Sequence, residues 1–586
     1  MNYFRLLLAL LLALALPAGA VMPSVHGEAA WAPKSVPVAK LRLPQGSASS
    51  VTLLPVSASE VDKLKQANRM QAKRTAIGVE RSPEATEALA YAQPLVWHSV
   101  AGGYAAQASV TSPQAGAMRL AIALEGVSVD VTMTFYGSAA TERLEGPVRV
   151  GDIADRSVAY WSPVTDGATQ IVEYFSPNAV DAANAPRIVG ASHLFATLAS
   201  GFTKWTQDIG QSGSCNVDIQ CSALKTNPGQ PFLNMRNAVA QMMFNTNGAT
   251  YLCTGQLLND TDPSTQLPWF FSANHCFEND SPPFKTAAQM QTVAASLATL
   301  WFFEAATCNV DTTPPGFVQL NGGATYIYNN QGADVLFLRL NNNPPAGAFY
   351  AGWNSNAVTV GSAIVVVHHP SGDLKKVSQG SVVAYSPPQP ALPGAGATTT
   401  FSEVKYNSGT TEGGSSGSGL YTYDGTQYQL RGALYGGGAF CTSPTDSDWY
   451  SQFDKVFSAL APYLTPAGST TDYSDLWFNA NESGWGLNIV QHASRQIFAV
   501  WFTYGPDGKP TWYTIPGGTW TATNTFAGDV YATTGPPANS GTFNPASVSV
   551  RKAGNAILTF SDANTASFNY IVDGTAGSKS ITRQPY

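Results

Sequence analysis

No cysteine precedes Cys215 or follows Cys441, so covalent cross-links are confined to the middle of this 586-residue chain. The six cysteines in that window are Cys215, Cys221, Cys253, Cys276, Cys308 and Cys441, and no two form a C-x-x-C pair. That spacing argues against a zinc site. An even number in an exported chain implies three disulfides. Charge is scarce too. Asp, Glu, Lys and Arg make up 12% of the residues, against a usual share of ~25%. The net charge of −7 offers nucleic acid no basic face. Beyond the first twenty residues no apolar run is long enough to span a bilayer. What the chain has in quantity is 53 Gly and 38 Pro, which points to turn-rich β-structure and away from helical bundles.

Residues 1–20 read as an export signal. Arg5 supplies the positive start, Leu6–Leu16 an apolar run of 11 residues, and Pro17-Ala18-Gly19-Ala20 a small-residue cleavage site. The alternative is an N-terminal membrane anchor, for which the run is short. Residues 21–204 hold no cysteine and no catalytic-looking constellation. A polar helix is expected over Ser57–Lys73 and a strand over Val127–Met133. The position of this segment suggests a propeptide, with an independent accessory domain as the alternative.

Residues 205–466 carry every cysteine and short strand-like runs at Trp269–Phe271, Val335–Leu340, Ala363–Val367 and Gln429–Tyr435. Pro/Gly turns separate them, which suits an all-β fold of two packed barrels. Thr465–Thr471 is a linker by composition. Residues 472–586 form a third, β-type module with five of the 13 Trp. Ile497–Tyr504, the turn Gly505-Pro506-Asp507-Gly508 and Thr511–Ile515 read as a hairpin. The Trp residues there either line a sugar-binding surface or fill a β-domain core.

Three short motifs carry the chemistry. Ala273-Asn274-His275-Cys276, Gly332-Ala333-Asp334 and the Gly/Ser turn Glu412-Gly413-Gly414-Ser415-Ser416-Gly417-Ser418-Gly419 follow in that order. His, Asp, Ser is the chain order of the chymotrypsin-type triad, not of the α/β-hydrolases. A Ser hydroxyl becomes a nucleophile when an imidazole takes its proton, and the imidazole needs a carboxylate to hold its tautomer. The same turn also fits G-x-S-x-G centred on Ser415. That reading needs a His downstream, and the one present, His492, lies in the third module. His368-His369 suggests a metal site only weakly, because adjacent strand residues face opposite ways. One of the two is expected in the core and one on the surface.

Residues about 210–466 resemble the secreted bacterial lysyl endopeptidases. The resemblance rests on Ser212-Gly213-Ser214-Cys215-Asn216-Val217-Asp218, Cys253-Thr254-Gly255, Ala273–Cys276, Phe349-Tyr350-Ala351-Gly352-Trp353, His368-His369-Pro370, Glu412–Gly419 and Leu434-Tyr435-Gly436-Gly437. It implies a chymotrypsin-like double β-barrel and a serine endopeptidase that cuts after Lys, with no metal or organic cofactor. It also implies His275 as general base, Asp334 as orienting carboxylate and Ser416 as nucleophile. The Gly414 and Ser416 N–H groups would form the oxyanion hole. The implied disulfides are Cys215–Cys441, Cys221–Cys308 and Cys253–Cys276; sequence alone leaves the pairing open.

Asp448 falls at the family's specificity carboxylate, with Asp446 as competitor. Tyr435 and Gly436 lie on the strand edge that takes the substrate backbone, and some relatives carry His where this chain has Tyr435. The expected partners are protein or peptide substrates containing Lys, and a propeptide acting as intramolecular inhibitor or chaperone. Neither nucleic acid nor, once the signal is removed, a membrane is expected as a partner. Location is expected to be extracellular. The alternatives are a broader Lys/Arg protease, a peptide-binding pseudo-protease, or a surface-binding protein dominated by its third module, where Glu482-Ser483-Gly484-Trp485-Gly486-Leu487-Asn488 resembles a motif of small β-domains on exported proteobacterial proteins.

Overall fold

A computed structural model describes residues 24–31, 48–70, 74–81, 94–197, 212–262, 266–279, 281–310, 316–393, 399–465, 471–491, 495–522, 524–537, 539, 543–544 and 547–585. The signal segment 1–20, the Lys204-Trp205 boundary, most of the linker and His492 lie outside them. No helix among the described residues is long and apolar enough to cross a membrane.

The fold is all-β, as the scarcity of charge and the short apolar runs suggest. Val239–Thr246 is buried along its whole length and pairs antiparallel with Ala249–Leu258. A strand buried on both faces reads as a continuous run without alternation. Trp269–Ser272 and Val335–Leu340 extend the same twelve-stranded sheet. Its core holds Phe244, Leu257, Phe270, Trp301 and Leu338. A second sheet of nine strands holds Ala363–His368, Lys376–Ser386, Phe401–Ser408, Gly419–Tyr423, Tyr428–Gly437 and Asp448–Tyr450. These are the two barrels. The few helices are short and locally encoded. Ala287–Ala295 starts from a capping box between Thr286 and Gln289. Gln230–Ala238 begins after Gly229 at φ +76° with a proline in its first turn.

The N-terminal segment shares a sheet with the first barrel. Thr75–Arg81 runs antiparallel to Ala249–Leu258 on one side and to Arg187–Leu194 on the other. Ser24–Val25 pairs with Trp353 and Asn354, and Glu28–Ala29 with Phe349 and Tyr350. The expected polar helix spans Ala58–Met70. The expected strand at Val127–Met133 is corrected. The strand starts at Thr132, and the residues before it are turns. Gly126 at φ +76° starts the loop, and the N–H groups of Val127 and Val131 donate to Leu124 and Ser128.

The C-terminal unit is its own nine-stranded sheet, closed by Thr514 opposite Tyr531. The hairpin of Ile497–Tyr504 and Pro510–Ile515 is present. Trp477 and Trp501 sit in the core, while Trp512 is 54% exposed.

Candidate active site

His275 lies in a one-turn 3₁₀ helix, Asn274–Cys276, directly after the strand Trp269–Ser272. The disulfide Cys253–Cys276, with a Cα–Cα distance of 6.3 Å, ties that turn to the neighbouring strand. The carboxylate of Asp334 grips His275 twice. Oδ1 accepts the backbone N–H at 2.8 Å and Oδ2 faces Nδ1 at 2.8 Å. Nε2 of His275 lies 2.7 Å from Oγ of Ser416. Asp334 is completely buried and sits at φ +52°. That left-handed conformation is uncommon for a residue with a side chain, and Asp is among those that adopt it most readily. Tyr435 packs edge-on against the His275 ring, with centroids 5.7 Å apart. A hydroxyl, an imidazole and a buried carboxylate linked in this way can pass a proton off the hydroxyl as it attacks a carbonyl.

The Gly/Ser turn is held from the first barrel by Thr254. Its hydroxyl donates to the carbonyl of Gly414 at 2.9 Å and accepts from the N–H of His369 at 3.1 Å. Its backbone N–H donates to the carbonyl of Ser416 at 2.8 Å. The Gly413 carbonyl accepts from the N–H of Ser371, a residue at φ +53°. Gly414 and Gly417 take φ of +89° and +80°, and a Cβ at 417 would collide with Ser272 Oγ. Among the described residues, the N–H groups of Gly414 and Ser416 donate to no protein acceptor. Thr254 has no role assigned from sequence alone, and its place in the motif Cys253-Thr254-Gly255 is the signal that points to it.

Gly and Ser composition favours a solvated turn, yet Ser416 is fully buried. Thr254, His275 and the packed strands around the turn enclose it. Ser415, the rival serine, is buried beside His368, with Oγ 2.8 Å from Nδ1. Nε2 of His368 lies 3.1 Å from Ser378 Oγ, which donates its own proton to the Thr410 carbonyl. With the Ser378 proton so directed, Nε2 of His368 is the donor to Ser378. Ser415 Oγ in turn accepts from the N–H of Glu412, so it braces the turn. His369 is also fully buried, which corrects the expected one-in, one-out arrangement. His368 ends its strand, and His369 follows at φ −120°, ψ 77°, so strand alternation lapses there. Burial, reinforced by the charge of Lys375, holds the His369 imidazole well below its ordinary pKa.

Asp448 begins the last strand of the second barrel, with Gly437 opposite it and Trp449 opposite Gly436. It is completely buried, whereas Asp446 is exposed. Thr411 and Tyr406 donate to its Oδ2. Tyr428–Gly437 is not an outer edge of its sheet. It pairs with Gly419–Tyr423 as far as Ala433, and with Asp448–Tyr450 from Leu434 onward. All three disulfides have the pairing the resemblance implied.

The N-terminal segment reaches this site. Arg74, fully buried, donates through Nη1 to the carbonyls of His275 at 2.7 Å and Glu278 at 3.0 Å. Its guanidinium lies 4.7 Å above the Tyr251 ring. Thr75 approaches Gly413 so closely that a Cβ there would meet its hydroxyl.

Comparison with known proteins gives two family matches in chain order. Residues 52–195 match the lysyl endopeptidase N-terminal domain and residues 209–451 the lysyl endopeptidase C-terminal domain. A lysyl endopeptidase of Pseudomonas aeruginosa is 36% identical over 381 residues, covering 62% of this chain and 76% of that protein. Among solved structures, the Rv3671c protease of M. tuberculosis in its active form has 16% identity and a TM-score of 0.27, covering 44% of this chain and 91% of that one. The thermostable serine protease AL20 from an extremophilic microorganism has 12% identity and a TM-score of 0.26, covering 39% and 98%. With both domains matched in order and a relative covered over three quarters of its length, this chain is a serine endopeptidase that belongs to the lysyl endopeptidase family.

Proposed function

We propose that this protein is secreted as a precursor and hydrolyses peptide bonds on the carboxyl side of Lys through His275, Asp334 and Ser416. The observation that carries this reading is the unbroken chain of short contacts from Asp334 through His275 to Ser416. Ser416 Oγ attacks the substrate carbonyl while His275 Nε2 takes its proton. Asp334 keeps the His275 proton on Nδ1 and stabilises the imidazolium. The oxyanion that forms is met by the Gly414 and Ser416 N–H groups, which have no acceptor among the described residues. His275 returns the proton to the leaving amine, and water then releases the acyl group by the same steps in reverse. Tyr435 and Gly436 border the bound peptide, and Asp448 pairs with the Lys ammonium. A buried Asp serves that role better than exposed Asp446, because a desolvated charge left without its partner is costly.

Residues 21–204 act in this reading as the propeptide, with Lys204-Trp205 as a bond the enzyme can cut for itself. The shared sheet and the seat of Arg74 on the His275 turn support an inhibitory or folding role.

The test compares matched lysyl and arginyl esters on the wild type and on Asp448→Asn, Asp446→Asn, Ser416→Ala and Ser415→Ala. Asp448→Asn is expected to lower lysyl kcat/KM several hundred-fold, the equivalent of about 3–5 kcal/mol for a buried pair broken on one side. Asp446→Asn is expected to be nearly silent. Ser416→Ala should abolish labelling by an organophosphate, and Ser415→Ala should retain it. Equal losses from the two Asp variants, or label on Ser415, would overturn the assignment.

A further inference from the structure

Asp448 is buried within a ring of hydroxyls. Tyr406 donates to Oδ2 at 3.1 Å, and Thr411 donates to the same oxygen. The hydroxyls of Tyr406 and Tyr450 lie 2.7 Å apart. Tyr406 has one proton, already directed at Asp448, so Tyr450 is the donor between them. On the other side of the carboxylate, Ala439 N–H lies 3.4 Å from Oδ1. Gly437 passes so near that a Cβ there would come within 2.5 Å of Oδ1. Thr411 lies five residues before Ser416, so one short segment carries both a donor to the carboxylate and the reactive hydroxyl.

We propose that Tyr406, seated by Tyr450 and acting through Oδ2 of Asp448, is a positioning residue that sets the preference for Lys over Arg. The proposal rests on the Lys-directed reading of the site given above. A guanidinium forms its strongest pair with a carboxylate by presenting two parallel N–H groups to both oxygens in one plane. Two hydroxyl donors already occupy Oδ2, so Asp448 cannot offer that fork. An ammonium is a compact charge with three rotatable donors, and a single carboxylate oxygen suits it. An arginyl substrate would enter with part of its fork unpaired in a buried site. A polar pocket rejects the wrong substrate in this way, by leaving buried donors unmatched. Tyr406 does not touch the reacting atoms. It decides which face of Asp448 the substrate meets.

The test measures kcat and KM for matched lysyl and arginyl esters on the full-length enzyme and its Tyr406→Phe, Tyr450→Phe and Thr411→Val variants. Tyr406→Phe keeps the ring and removes the donor. It is expected to lower the Lys/Arg ratio of kcat/KM at least tenfold, chiefly through a lower KM for the arginyl ester, with lysyl kcat within a few-fold of wild type. Tyr450→Phe leaves Tyr406 on Asp448 and is expected to shift the ratio less than threefold. If Tyr406→Phe does not fold, Thr411→Val reports on the same oxygen, and its ratio must fall too. A wild type that prefers Lys, with a ratio that survives loss of either donor, overturns this inference alone. Equal losses for both esters also overturn it, since they show a structural role. A wild type that does not discriminate overturns the Lys-directed reading itself and this inference with it.

Discussion

Thr254 donates its hydroxyl to the carbonyl oxygen of Gly414 across 2.9 Å, although the two residues are 160 positions apart in sequence. The same hydroxyl accepts from His369, so one oxygen joins the first barrel to two segments of the second. Thr254→Val keeps the shape and removes the oxygen. It leaves the Gly414 carbonyl and the His369 N–H without this partner in a buried site, at a cost of about 1–3 kcal/mol. The expected outcome is a lower melting temperature and a kcat reduced at least tenfold with KM little changed, because the turn that presents Ser416 loses its brace. An unchanged kcat in a destabilised protein would assign Thr254 to stability alone.

Arg74 supports a second prediction. Its hydrogen bonds to the carbonyls of His275 and Glu278 are charge-assisted and buried, and such bonds contribute about 1.5–3 kcal/mol. Arg74→Ala, placed in a Ser416→Ala background so that the chain stays whole, should loosen the strand Thr75–Arg81. Its amides are expected to exchange with solvent roughly tenfold to a hundredfold faster, those of Tyr428–Gly437 remaining unchanged. Unchanged protection of residues 75–81 would show that sheet pairing alone holds the segment.

His193 makes the N-terminal segment sensitive to acid. It is buried in the strand Arg187–Leu194, with Nδ1 2.8 Å from Ser112 Oγ. Burial, with the charge of Arg81 adding to it, lowers its pKa to about 4 from an ordinary 6.5. Between those values the unfolded chain binds the proton and the folded chain does not, so stability falls as pH falls through that window. The full loss is about 3 kcal/mol. In the Ser416→Ala background, acidification from pH 7 to pH 4 should therefore destabilise the parent by about that much more than it does a His193→Gln variant. Denaturant melts at the two pH values measure the difference. Parallel losses in both proteins would remove His193 from the account.

The sequence made some of this architecture legible because certain signals are local. Cys276 beside His275, and the order of His275, Asp334 and Ser416, were enough to name three residues that the structure brings within hydrogen-bond distance. The short apolar runs became strands close to their expected ends. What stayed hidden depends on distant partners. Nothing near Asp334 reveals its left-handed backbone or its two-point grip on His275. The Gly/Ser composition around Ser416 reads as a solvated turn, and only Thr254 from the other barrel explains why it is buried. The β-branched run at Val127 promised a strand, and the turn following Gly126 overrode that local preference. Both His368 and His369 are inside because their hydrogen-bond partners, Ser415 and the Asp373 carbonyl, are inside with them.

The place of Thr75–Arg81 in the sheet has a consequence for how a cut precursor behaves. The strand lies between Arg187–Leu194 and Ala249–Leu258, one on each side of the segment where the proposed cleavage falls. Breaking the chain there leaves the pairings of Thr75–Arg81 with both neighbouring strands in place. It changes the order of the reaction by which the two parts separate, from unimolecular opening to dissociation of a complex. While the chain is intact, the effective concentration of the segment is set by the tether; once cut, it falls with the concentration of the protein. On the proposed reading of residues 21–204 as an inhibitory propeptide, nicked enzyme would stay latent where it is concentrated and become active on dilution.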